Sequence, residues 1–145
     1  MDTLAPVVQW STVRLMLILT QLLKLKTLSI DFLNAFAQAD MPAEKTVYLH
    51  LPHSFIPAVN YGKEMVLKLK KSYYGQAEAL RLWYEKLKVG LKDRGFKTLQ
   101  IDPCLFISKM MIVVAYVNDY LIFSKEKSEI DKLIKLFKED GDEYN

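Results

Sequence analysis

Two carboxylates stand at positions where their chemistry could matter. Asp31 closes the apolar run Leu28-Ser29-Ile30-Asp31-Phe32, just before a short helical stretch over Leu33–Ala37. Asp119 lies at the tip of a tight hairpin between apolar strands, in Val114-Ala115-Tyr116-Val117-Asn118-Asp119-Tyr120-Leu121-Ile122. A strand-end acid together with a hairpin-tip acid is what a divalent-metal phosphoryl-transfer site requires. Hard cations take oxygen ligands, and strand ends hold such ligands rigidly. Plain structural roles are also open: Asp31 could cap the helix that follows, and Asn118-Asp119 could be turn residues.

The elements that must position these acids are legible from periodicity. Short runs rich in β-branched and aromatic residues predict strands at Thr27–Phe32, Thr46–Leu51, Met65–Leu69, Cys104–Ser108, Met111–Val117 and Tyr120–Phe123. Lys109-Met110 and Asn118-Asp119 are placed to join the last three as tight hairpins. Leu80, Trp83, Tyr84 and Leu87 share one face of a helix over Ala77–Arg94, which Gly95 is placed to end. Ile130, Leu133, Ile134 and Phe137 do the same near the C-terminus, with Lys and Glu opposite. The order of elements predicts an α+β domain in which an antiparallel sheet packs on helices.

Val13–Leu25 is apolar enough to resemble a membrane span, but its longest uncharged run, Leu15–Leu23, is nine residues. About 20 are needed to cross hydrocarbon. With Arg14, Gln21, Lys24 and Lys26 it is expected to be a mostly buried helix, capped by Ser11 or Thr12. No basic segment precedes it and no small-residue cleavage site follows, so the expectation is an intracellular chain without membrane contact. The 145 residues match one domain. A net charge of +3 excludes a highly charged tail, and the single Cys104 excludes an internal disulfide or a cysteine-rich zinc cage. His50 and His53 lack partners at metal-binding spacing and carry no assigned role.

Collinear segments along the chain resemble the reverse transcriptases of copia-type LTR retrotransposons. Tyr116-Val117-Asn118-Asp119 resembles their Y-V-D-D hairpin, and Asp31-Phe32-Leu33-Asn34-Ala35-Phe36 their D-V-K-N-A-F segment. Leu4-Ala5-Pro6-Val7-Val8 is similar to F-A-P-V-V. Lys68-Leu69-Lys70-Lys71-Ser72-Tyr73-Tyr74-Gly75, continuing to Ala79–Leu87, is similar to L-K-K-S-L-Y-G-L-K-Q-A-P-R-x-W-Y-E-K-L. Gly95-Phe96 and Asp102-Pro103-Cys104-Leu105-Phe106 complete the set.

The resemblance implies a palm with part of the fingers, working on an RNA template, a DNA primer and deoxynucleoside triphosphates. Asp31, the Phe32 carbonyl and Asp119 would hold Mg²⁺ or Mn²⁺, and Asn118 occupies a family Asp position. Phe36 would pack under the incoming sugar and exclude a 2′-hydroxyl, serve as a core aromatic, or both. Glu78, at a family Gln position, and Arg81 would lie near the nucleotide. Lys68, Lys70, Lys71 and Tyr116 would face nucleic acid; with Lys63, Tyr73, Tyr74 and Trp83, these lysines interleave basic and aromatic residues as a nucleic-acid path would. Alternating lysines also fit a solvated strand face.

Departures from the pattern point to impairment. Asn118 removes one anion from the metal site, and loss of one such electrostatic stabiliser costs about 10²–10³ in rate. Glu78 would repel a triphosphate, Leu80 replaces a Pro, and Leu33 replaces a Lys. The resulting expectation is a single incomplete domain over 1–145, lacking the preceding fingers and the following thumb and RNase H regions. It would be an inactive or weakly active copy that binds metal weakly, or a folded remnant that only binds nucleic acid or a partner, such as the rest of a retroelement polyprotein.

Overall fold

A computed structural model describes residues 5–55, 65–76, 78–139 and 141. Leu4, Lys63, Ala77 and most of the loop Pro52–Lys63 lie outside these residues.

The chain runs α1 (Trp10–Leu23), β1 (Lys26–Asp31), α2 (Ala35–Gln38), β2 (Tyr48–His50), β3 (Val66–Lys68), α3 (Ala79–Asp93), β4 (Lys97–Thr98), β5 (Leu105–Ile107), β6 (Met111–Tyr116), β7 (Asp119–Ser124) and α4 (Lys127–Glu139). Five strands form one antiparallel sheet in the order β1-β7-β6-β5-β4, and β2 and β3 form a separate pair. This is the expected α+β architecture, with β4 as an addition. Its two residues, Lys97-Thr98, are too few to show a strand period, and they become a strand by pairing with Ile107 and Phe106.

Alternation along the strands divides the sheet into two faces. Ile30, Val113, Ala115, Tyr120 and Ile122 turn toward Trp83, Leu87 and Leu91 of α3 and Ile130, Leu133 and Phe137 of α4. Each fully buried aliphatic side chain here, Ile122 for example, contributes about 2 kcal/mol over exposure, so this face dominates the core. Val114 and Phe123 on the other face meet Met16 of α1, Val8 and Cys104 in a smaller cluster.

The expected burial of α1 is corrected by this arrangement. Only Met16 is buried; Leu15, Ile18 and Leu22 are 53, 57 and 72% exposed. The helix is apolar nearly all round, yet one stripe alone reaches the sheet. Its cap also differs from expectation. Gln9 is the N-cap residue and makes no side-chain cap bond. The buried carboxylate of Asp102 takes the role instead, accepting bonds from the Gln9 N–H at 3.1 Å, the Thr12 hydroxyl at 2.5 Å and the Cys104 N–H at 3.0 Å. Among the described residues no helix is long and apolar enough to cross a membrane. At the end of α3, Gly95 adopts φ 83° and its N–H reaches the Lys92 carbonyl at 2.9 Å, the stop its position predicts.

Candidate active site

The β1–β7 register makes Asp31 and Asp119 direct cross-strand partners. Directly opposed residues on an antiparallel pair project to the same face, with Cβ atoms about 5 Å apart. Ser29, Leu121 and Tyr116 alternate onto that face too, which is the one α1 partly covers, away from the main core. A cavity of about 330 Å³ opens there, and Asp119, Tyr116, Ser29 and Trp10 are among its lining residues. The two strands are further stitched by the Phe32 N–H, which donates to the Asn118 carbonyl at 2.9 Å.

The hairpin turn lies one residue earlier than its sequence suggests. Tyr116 pairs with Asp119, so the turn residues are Val117 and Asn118, and Asp119 is the first residue of β7. Val117 has φ 58°. Positive φ at the first turn position and not the second is the pattern of a type II′ turn, whose twist suits a hairpin and whose ordinary occupant is Gly. A β-branched residue there is sterically disfavoured. Its carbonyl is held from below by two donors: Trp83 Nε1 at 2.9 Å and the Tyr120 hydroxyl at 3.0 Å. Trp83 Nε1 also reaches the Tyr120 oxygen at 2.9 Å. The Phe32 ring packs edge-on against both, with centroids 5.2 Å from Trp83 and 4.8 Å from Tyr120. None of this holding apparatus is legible in the sequence, because its common acceptor is a backbone oxygen.

Asn118 turns its side chain to the acids: Nδ2 donates to Asp31 Oδ1 at 2.5 Å. Neither Asp31 nor Asp119 has an ion-pair partner among the described residues. Two carboxylates on one face, with the carbonyl of Phe32 directly after Asp31, suit one hard divalent cation that keeps water or phosphate oxygens as its remaining ligands. They do not suit two equally well. No group of three or more His, Cys, Asp or Glu able to hold a metal occurs among the described residues, and Asn118 aims an N–H at an oxygen a cation would use.

The other candidate residues are not gathered at this pair. Phe36 is buried in α2 against Tyr74, centroids 4.5 Å apart, and its carbonyl accepts from the Ser72 hydroxyl. Glu78 is bound by Lys45, and that hydrogen bond holds its carboxyl below the usual carboxylate range. Arg81 follows on α3 with its Nε buried and without a hydrogen-bond partner among the described residues. Lys68 lies exposed on β3, while Lys71 reaches Asp40 at 2.7 Å. Lys70 is exposed and uses its carbonyl to accept the Met41 N–H at 3.1 Å. Sequence alone gives no sign of the Lys45–Glu78 pair, which joins residues 33 apart.

Comparison with known proteins gives one family. The family model described as reverse transcriptase (RNA-dependent DNA polymerase) matches residues 1–142. The Nicotiana tabacum retrovirus-related Pol polyprotein from transposon TNT 1-94 is 34% identical over 91% of this chain and 10% of its own length. The Arabidopsis thaliana Pol polyprotein from transposon RE1 is 31% identical over 83% of this chain and 8% of its own. The Saccharomyces cerevisiae transposon Ty1-LR3 Gag-Pol polyprotein is 28% identical over 78% and 6%. The chain thus spans a tenth or less of the curated relatives it matches. No solved structure matches it.

Proposed function

The chain belongs to the reverse transcriptase family of copia-type retrotransposons, and from that premise we propose that it is the palm-centred part of such an enzyme, impaired at its metal site. The reaction is extension of a DNA primer on an RNA or DNA template, inside the cell or within a virus-like particle. The observation that carries the proposal is the cross-strand pairing of Asp31 with Asp119, reinforced by the Phe32–Asn118 backbone bond.

In this reading Asp31, Asp119 and the Phe32 carbonyl are the oxygen ligands for Mg²⁺ or Mn²⁺, and Tyr116 beside them contacts the primer strand. When bound, the cation would supply charge neutralisation for the triphosphate and acidify the primer hydroxyl. The carboxylates orient along one sheet face, where strands fix their spacing. Phe36 supports the sugar, Arg81 attracts phosphate, and Lys68, Lys70 and Lys71 add positive charge to the nucleic-acid path. Asn118 leaves one fewer anion, so metal binding is weak and synthesis slow.

Primer extension on poly(rA)·oligo(dT) with Mg²⁺ or Mn²⁺ tests the reading. Weak extension, at least about 10²-fold below a three-carboxylate polymerase, is expected from the loss of one stabiliser. Vigorous extension would overturn the impairment. A remnant that only binds nucleic acid or a partner is the second reading, and the amide that Asn118 aims at Asp31 favours it. Complete absence of cation binding would decide for the remnant.

A further inference from the structure

We infer that Trp83 and Tyr120 are positioning residues for the hairpin: by sharing the Val117 carbonyl they hold the turn in its left-handed conformation and so set Asn118 and Asp119 opposite Asp31. The functional consequence rests on the metal-site reading above, but the geometry does not.

The turn needs holding. Val117 is β-branched at φ 58°, a region its own side chain disfavours. Left to local preference, the two-residue turn would relax and move Asn118 Nδ2 away from Asp31 Oδ1. Both donors are at most 2% exposed, so bulk water does not reach them as an alternative partner. The indole N–H could be satisfied by the Tyr120 oxygen alone, at 2.9 Å. Burial therefore does not require both groups to converge on one turn oxygen, yet both do, at 2.9 and 3.0 Å. Phe32 links this convergence to the acids. Its ring fixes the two donors edge-on, its N–H ties down the Asn118 carbonyl, and it directly follows Asp31. A shift in either aromatic would thus reach the turn and the end of β1 together.

Tyr120→Phe removes one donor while keeping the ring against Phe32. The measurement is the Asn118 side-chain amide resonance, displaced in the parent by its bond to a carboxylate. Methyl resonances of Ile122 and Leu133 report the core separately. The expected result is loss of that displacement with the core resonances unmoved, and about tenfold weaker Mn²⁺ binding, the usual effect of losing a residue that orients a ligand. Adding Val117→Gly should restore the Asn118 resonance, because Gly takes positive φ without strain. An unchanged Asn118 resonance in Tyr120→Phe would overturn the inference, and so would a loss that Val117→Gly fails to rescue. The two readings fail separately. If the resonances behave as expected and Mn²⁺ binds neither protein, the positioning stands and the metal site falls. If Mn²⁺ binds both proteins equally and the resonance does not move, the positioning falls alone.

Discussion

Asn118 donates its side-chain amide to Asp31 Oδ1 at 2.5 Å, across the strand pair that also opposes Asp31 to Asp119. The amide is nearly the shape of a carboxylate, but its N–H satisfies a lone pair where a second acid would repel it. The bare site is thereby stabilised at the expense of the charge a cation needs.

Asn118→Asp should reverse both effects. Without metal the variant loses a hydrogen bond to a charged group and gains repulsion, and about 1–3 kcal/mol of stability should disappear. Mg²⁺ should restore more than it gives the parent, because it binds the native state. Thermal midpoints of both proteins with and without Mg²⁺ are the check. Equal metal-induced shifts would mean that Asn118 and Asp119 serve only the turn and the strand.

Glu78→Gln should strengthen triphosphate binding severalfold at low salt. The change removes an anion and frees the Lys45 ammonium that now binds it. The gain should fade at high ionic strength, where exposed charges are screened. Titration of a labelled deoxynucleoside triphosphate at two salt concentrations measures this, and a gain independent of salt would contradict it.

Asp102→Ala should destabilise the fold by about 3 kcal/mol, since it strands the Cys104 N–H and uncaps α1. Hydrogen exchange should rise first at Thr12 and Val13, whose amides close the first turn on the Gln9 carbonyl. Unchanged protection there would show that the helix start does not depend on Asp102.

Stability should fall in alkali between about pH 9 and 12. Burial, assisted by the Asp102 carboxylate, pushes the Cys104 thiol up from 9.0 to about 12. Burial likewise raises the Tyr84 phenol, which donates to the Pro103 carbonyl, from 10.0 to about 12. Below pH 9 both groups are protonated folded or unfolded, and their contribution is complete. Above it the unfolded chain ionises first, so stability drains away until the folded values are passed. Urea midpoints across this range are the measure. Cys104→Ala should blunt the decline that begins near pH 9, and an identical profile in that variant would refute the assignment.

Much of this was legible in the sequence, for physical reasons that differ by element. Helices α3 and α4 declared themselves because each buries a single stripe at helical spacing. Strands β6 and β7 did so because both of their faces are covered. The juxtaposition of Asp31 with the hairpin followed from the strand-end and hairpin positions together with the family motifs. Burial of α1 was not legible, since an all-round apolar helix does not say which of its sides finds a partner. The turn position was displaced because Asn-Asp has the better turn chemistry, while strand pairing placed Val117 in the left-handed region instead. The Trp83–Tyr120–Val117 convergence is tertiary and leaves no local trace.

The cap of α1 has a consequence in time. Asp102 follows Thr12 by 90 residues, so a chain emerging from the ribosome exposes the whole first helix long before its cap exists. β1 waits as well, because among the described residues its sheet partner is β7 alone. Helix α1 and strand β1 therefore lack these particular partners until the segments around Asp102 and β7 have been synthesised. Pairing of β1 with β7 and anchoring of α1 by Asp102 are contacts of long sequence separation, which form late and slow the folding of this sheet.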